Sequence, residues 1–394
     1  MEDITDEGLL DEQRFNSIAL EATQGEAIRN STIVNVSISI ESFQIVEERL
    51  RKHVVYKITG EENGNKFDVY RRYKEFRILH RVLTQIWPGC VIPKLPPKKA
   101  VGNMKTSFID KRKKLLETFL IKVSALPYFC ICEAFSSFLH NSLNYSKIEK
   151  DLKAPTVQEI SILYSDIFSE YTYFQPSLEQ KIEIKELQKD VQELYEILKK
   201  VKKQARLSSF AFGRYEESIS GLMNGLKTIT PMLLINKNLN VTAKENYVNP
   251  YLNIRDWLRS DILDVESMMD GLNKYFVLED DIGSVQMRIE KKKKHLEQLQ
   301  SGKKSISERL TNKTNEALVE EEGKGIEELE SYKESLEKIT NISIGKLLQC
   351  DIPKFKQQKI YKICVTMRNY SLATVQEYQE IAEQILQIEE SLGR

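Results

Sequence analysis

Arg71, Arg72 and Tyr73 stand in a row inside Tyr70-Arg71-Arg72-Tyr73-Lys74-Glu75-Phe76, where an alternating stretch ends and a helical period begins. A guanidinium grips phosphate oxygens through a planar fork of donors, and an aromatic face packs against the C–H bonds of a sugar-like ring. Three such side chains at a strand end suit recognition of a phosphorylated ring. Further along come Pro93, Pro96 and Lys98 in a proline-framed loop, and Arg112 in a lysine-rich helical stretch. Taken alone the strand end reads as a solvated basic surface, and Tyr73 as an aromatic that lines a core. The downstream prolines and basic residues favour a ligand pocket.

No catalytic constellation accompanies these residues. The chain lacks the phosphate-cradling, dinucleotide, nucleophile-elbow and zinc-protease motifs, and its four histidines (His53, His80, His140, His295) fall on different elements. The reading is therefore not an enzyme, with no cofactor and no metal. The pair Cys130-x-Cys132 sits in an apolar run and reads as core packing. Five cysteines without ligand spacing suit a reducing, cytoplasmic compartment. No apolar run reaches the length of a membrane span, and the acidic beginning does not read as a signal peptide, so a membrane would be met from outside.

The charge sums to zero over 394 residues but is unevenly spread. Residues 1–30 carry net −6, residues 31–145 net +9 and residues 146–394 net −3. The first segment reads as a disordered acidic tail. The basic middle wants an anionic partner: nucleic acid, a membrane face or a phosphorylated ligand. Basic residues gathered in one proline-framed pocket, rather than interleaved with aromatics on an open face, argue against nucleic acid.

Periodicity supplies the elements that must hold these residues. Residues 32–48, 53–60 and 66–73 alternate apolar and polar, and Asn63-Gly64 marks a hairpin turn, which predicts a three-stranded antiparallel meander. Helical spacing follows from Lys74 to Pro88, again around Phe108–Val123, and a third time from Pro127 to His140. Residues 31–145 thus predict an α+β domain, sheet first.

This segment resembles the PX (phox-homology) domain of the sorting nexins. Arg71-Arg72-Tyr73-x-x-Phe76 is similar to that family's Arg-Arg-Tyr-x-x-Phe, Ile92-Pro93-Lys94-Leu95-Pro96-Pro97-Lys98 to its proline loop, and Arg112 to its basic helix residue. The resemblance implies that Arg72 holds the 3-phosphate of phosphatidylinositol 3-phosphate and that Tyr73 stacks under the inositol ring. It further implies that Lys98 meets the 1-phosphate and Arg112 the 4- and 5-hydroxyls. Arg71, on the opposite strand face, becomes a supporting residue. Lys99 and Lys105, with Val101 and Met104 around Gly102, form a loop of the kind that touches the bilayer interface in this family.

Residues 146–394 follow a heptad logic. Ile184, Leu187, Val191, Leu194, Leu198 and Val201 form one seam, and Val375, Tyr378, Ile385, Ile388 and Leu392 another. Three helices are predicted, over about 156–238, 251–299 and 305–393, the first bent near Gly221, Gly225 and Pro231, the last kinked near Pro353. An elongated three-helix coiled coil whose seams need a second chain resembles the BAR domain of the PX-BAR sorting nexins, as a homo- or heterodimer. The resemblance puts Lys291, Lys292, Lys293, Lys294, Lys303 and Lys304 at a membrane-touching tip. It puts Lys199, Lys200, Lys202 and Lys203 on a concave face; a solvated helix surface is the alternative for both clusters. Residues 155–174 could be an interfacial helix or could pack between domains, the latter favoured by their acidic content.

The function expected is that of a peripheral adaptor on the early endosome. It would bind phosphatidylinositol 3-phosphate and curved anionic membrane and act in protein sorting and tubule formation with cargo or coat proteins. The alternative is a coiled-coil scaffold that its PX domain merely localises.

Overall fold

The computed structural model describes residues 36–48, 51–98, 104–141, 145, 154–233, 249–302 and 314–391. The acidic segment 1–30 and the site candidates Lys99, Lys303 and Lys304 lie outside the described residues, as do Val101 and Gly102. Packing groups the chain into two compact units, one of residues 1–185 with 267–350 and one of 186–266 with 351–394. Neither follows the 145/146 boundary read from the sequence, because the helical part is divided between them.

The first unit opens on strands β1 (Val36–Glu48), β2 (Arg51–Glu62) and β3 (Asn65–Arg72) in an antiparallel sheet of order β1-β2-β3. The turn between β2 and β3 has Asn63 at φ 50° and Gly64 at φ 86°, the double positive φ that a two-residue hairpin of the right twist requires. On β1 the register shifts between Ile40 and Ser42, and the Ile40 amide donates to Glu117 Oε1 at 2.7 Å. The bulge thus leaves no orphan donor there.

Helices α1 (Tyr73–Ile86), α2 (Thr106–Ser124), α3 (Pro127–Cys130) and α4 (Glu133–His140) cover the sheet. The single helix expected from Pro127 to His140 is two, separated by Ile131 and Cys132. Cys130 and Cys132 are both buried, and burial raises their thiols, Cys130 to about 12. Ile40, Tyr56, Ile58, Phe76, Leu79, Leu116, Phe119 and Phe138 form the core.

Helix α5 (Val157–Ile167) and a turn of 3-10 helix at Ser169–Tyr171 come next. They do not continue into α6 (Leu178–Leu233), so the first long helix is shorter than the sequence reading made it. Ser177 restarts the chain: its hydroxyl accepts from the Gln180 amide at 3.2 Å and Gln180 Oε1 accepts from the Ser177 amide at 2.9 Å. Of the segment 155–174, Ile160, Tyr164, Phe168 and Tyr171 are buried. Trp87 stacks on Tyr164 at 5.6 Å between centroids, and the Tyr164 hydroxyl donates to the Pro88 carbonyl at 2.6 Å. The segment therefore packs within the first unit, and its buried face is not available as an interfacial helix.

Helix α7 spans Tyr251–Gln300 and α8 Asn315–Lys346; a π turn at Leu347–Asp351 precedes α9, Ile352–Ser391. The irregularity expected near Pro353 is this turn. In the second unit Val191, Leu198 and Ala205 are buried at seven-residue intervals, whereas Val201 is exposed. Val375, Tyr378 and Ile385 are more than half exposed as well, and Ile352, Lys359, Thr366, Glu377, Ile381 and Gln384 are buried on α9. Val375, Tyr378 and Ile385 of the C-terminal seam thus face away from their own unit; the burial of Ile388 and Leu392 lies outside the described residues. Lys359 pairs with buried Asp261, and Lys362 with Asp264 at 2.9 Å. Buried pairs of this kind constrain register more than they stabilise.

His80 in α1 carries a pH prediction. Burial, reinforced by the Lys94 charge and opposed by Asp270, lowers its imidazole to about 4. An unfolded chain would protonate His80 near pH 6.5. Its contribution to stability is therefore complete above that pH, falls as pH drops towards 4 and levels off below. Denaturant titrations at pH 7 and pH 4.5 should show a smaller loss for His80→Gln than for the parent.

Candidate functional site: a basic notch at the end of β3

Along β3, Phe67, Val69 and Arg71 point inward and are buried, and Arg72 alternates away from them, half-buried. Arg71 is only 1% exposed. Its Nε donates to the Phe138 carbonyl at 2.8 Å, further guanidinium nitrogens reach the Tyr70, Ser137 and Asn141 carbonyls, and its Cζ lies 5.3 Å from the Phe138 ring centroid. Burial lowers its pKa, Glu75 opposing. Arg71 is thus a supporting residue that ties the strand end to α4.

Glu75 fixes the other side of the junction. Its carboxylate accepts from the Arg72 amide at 2.7 Å and from the Tyr145 amide at 2.7 Å. The sequence reading passed over Glu75, although a glutamate three residues after a helix start is a recognisable capping signal.

Tyr73, Pro96, Pro97 and Arg112 come together. The Tyr73 hydroxyl donates to the Pro96 carbonyl. The Arg112 guanidinium lies 4.3 Å from the Tyr73 ring centroid and 4.4 Å from that of Phe108, and donates to the Pro97 carbonyl at 3.3 Å. Arg112 is 8% exposed, and its Nε is buried with no hydrogen-bond partner. Burial raises the Tyr73 and Tyr56 phenols, and the Arg112 charge opposes both shifts. Lys98 follows Pro97 directly and is exposed. The start of α1, the proline loop and α2 so meet around Tyr73 and Arg112, with Arg72 next to Tyr73 in the chain.

The lysine clusters are less uniform. Within the first unit Lys292 pairs with Glu322 at 2.7 Å and Lys293 with Glu330 at 2.6 Å, both carboxylates on α8, while His295 also meets Glu322. Lys291 and Lys294 are exposed. In the second unit Lys199, Lys200, Lys202 and Lys203 are exposed, Lys199 pairing with Glu196 at 3.2 Å. Burial and the Arg259 charge lower the Lys202 pKa, with Glu266 opposing. Lys105 is exposed at the start of α2. Among the described residues no helix is long and apolar enough to cross a membrane.

A three-stranded meander backed by helices, with long helices after it, is the architecture expected of a PX domain followed by a helical region. Residues 60–142 match the family model of the PX domain. The chain is 26% identical over 315 residues to Sorting nexin-4 of Eremothecium gossypii, a match over 74% of this chain and 73% of that one. It is 29% identical over 137 residues to the vacuolar protein sorting-associated protein vps5 of Schizosaccharomyces pombe. That match spans 32% of this chain and only 24% of the relative. Among solved structures, the SNX-BAR Mvp1 tetramer determined by cryo-EM is similar over 88% of this chain and 99% of that chain, at 17% identity and a TM-score of 0.49. Residues 60–142 thus belong to the PX domain family, and the chain as a whole is similar to sorting nexins.

Proposed function

We propose that the chain is a peripheral membrane adaptor of endosomal sorting that binds phosphatidylinositol 3-phosphate in the notch and pairs with a second copy through its helices. The observation that carries this reading is the buried Arg112 guanidinium with an unpartnered Nε, held beside Tyr73 and Pro97 next to Lys98. A buried donor without a partner is costly, and a ligand hydroxyl would satisfy it. Arg72 would take the 3-phosphate, Lys98 the 1-phosphate and Arg112 the 4- and 5-hydroxyls. Since Arg112 already covers one face of the Tyr73 ring, the inositol ring would use the other.

Pairing is supported by the apolar stripe that α9 turns outward, Ile360, Ile363, Met367, Val375, Tyr378 and Ile385, each at least 40% exposed. Apolar surface at helical spacing on a charged helix wants another helix rather than water. Two notches in one dimer would raise avidity for a membrane without tightening either site.

The paired tip lysines favour keeping the scaffold reading as the second. Flotation of the pure chain on vesicles of two radii that carry phosphatidylinositol 3-phosphate separates the two: an adaptor prefers the smaller vesicles, and a scaffold binds both alike. Neutralising Lys291 and Lys294 should weaken vesicle binding by about fivefold each at low salt. Neutralising Lys292 and Lys293, already held by Glu322 and Glu330, should cost less.

A further inference from the structure

The proline loop is held from two sides. On one side its carbonyls take the notch: Pro96 accepts from Tyr73 and Pro97 from Arg112. On the other it is seated on α7. The Lys94 amide donates to the hydroxyl of buried Ser267 at 2.9 Å, and the Lys94 ammonium pairs with Asp270. A Cβ on Gly271 would stand 3.1 Å from Val91 Cγ2 and 3.4 Å from Val91 Cα, so a larger residue there would push the start of the loop back by a few tenths of an ångström. Ser267, Asp270 and Gly271 are spaced i, i+3, i+4 and thus form one helix face.

Between the two anchorages lies only Leu95. Pro93, Pro96 and Pro97 have fixed φ, and Ile92, Leu95 and Pro96, each preceding a proline, are confined to extended conformations. A segment with so few soft torsions passes a displacement along instead of absorbing it.

We propose that Ser267, Asp270 and Gly271 are positioning residues of the head-group site: α7 sets the proline loop, and the loop sets Tyr73, Arg112 and Lys98. This rests on the head-group reading above. None of the three touches the lipid. The exposed Lys94–Asp270 pair contributes modestly, so the buried amide–hydroxyl bond carries most of the effect and the close approach at Gly271 a smaller part.

The test uses the full chain and two readouts. In the first, hydrogen–deuterium exchange without lipid compares the parent with the double variant Ser267→Ala, Asp270→Ala. Alanine keeps α7 helical, so faster exchange should be confined to residues 94–98 and 108–114, with β1–β3 unchanged. Parental exchange in those segments overturns the proposal whatever the notch binds. In the second, short-chain phosphatidylinositol 3-phosphate is titrated into the parent, the double variant and Ser267→Thr. The double variant should bind about tenfold more weakly and discriminate less between 3- and 4-phosphate isomers, while Ser267→Thr, which keeps the hydroxyl, binds as the parent does. Parental affinity and selectivity in the double variant also overturn the proposal. A parent that binds no 3-phosphate isomer refutes the head-group reading alone, and the exchange readout still decides the positioning role.

Discussion

Arg72→Ala is expected to lower affinity for phosphatidylinositol 3-phosphate by at least about 100-fold. Two charge-assisted bonds from one guanidinium to a phosphate monoester, each worth about 1.5–3 kcal/mol, account for a loss of that size. The substitution spares the junction, because the bond to Glu75 comes from the Arg72 backbone amide. Arg71, by contrast, is buried against the carbonyls of Phe138, Ser137 and Asn141, so Arg71→Ala should destabilise the domain itself. Thermal unfolding alongside titration separates the two: Arg72→Ala loses ligand at a parental melting temperature, and Arg71→Ala melts earlier. If Arg72→Ala kept its affinity, the 3-phosphate would have to lie elsewhere.

The second large effect concerns association. Val375→Asp with Tyr378→Asp places two carboxylates on the outward stripe of α9, where the parent residues are 54% and 57% exposed. Neither position is inward-facing in its own unit, so the protomer should fold. Burying two unpaired charges between copies would cost several kcal/mol, enough to turn dimers into monomers at micromolar concentration. Sedimentation equilibrium should give the monomer mass. Affinity for a soluble short-chain head group should be unchanged, while binding to vesicles falls by about 100-fold or more as avidity is lost. A dimer mass for the variant would contradict the assignment of this stripe.

Local chemistry explains which features were legible in the sequence. The Asn63-Gly64 turn has one good backbone solution, and the meander follows from it. Alternation along β3 separates Arg71 from Arg72 without any structure. The Ser177–Gln180 box was equally local, yet the apolar residues on both sides of it made α5 and α6 read as one helix. What periodicity could not reveal were partners far apart in the chain. Lys94 meets Ser267 and Asp270 across more than 170 residues. The pairing of Lys292 and Lys293 with Glu322 and Glu330 likewise depends on which face of α8 turns to α7. A lysine run therefore looked uniform in sequence, although half of it is already occupied. The polar buried line of α9, Lys359, Thr366, Glu377 and Gln384 beside Ile381, with Val375, Tyr378 and Ile385 turned outward, is visible only once its neighbours are in place.

The most direct test of the notch is isothermal titration of the full chain with short-chain phosphatidylinositol 3-, 4- and 5-phosphates at physiological salt. Saturable binding of the 3-phosphate with one site per chain, and no comparable heat from the other two, is the predicted result. Equal binding of all three isomers that vanishes as salt is raised would mean a diffuse basic surface and no pocket.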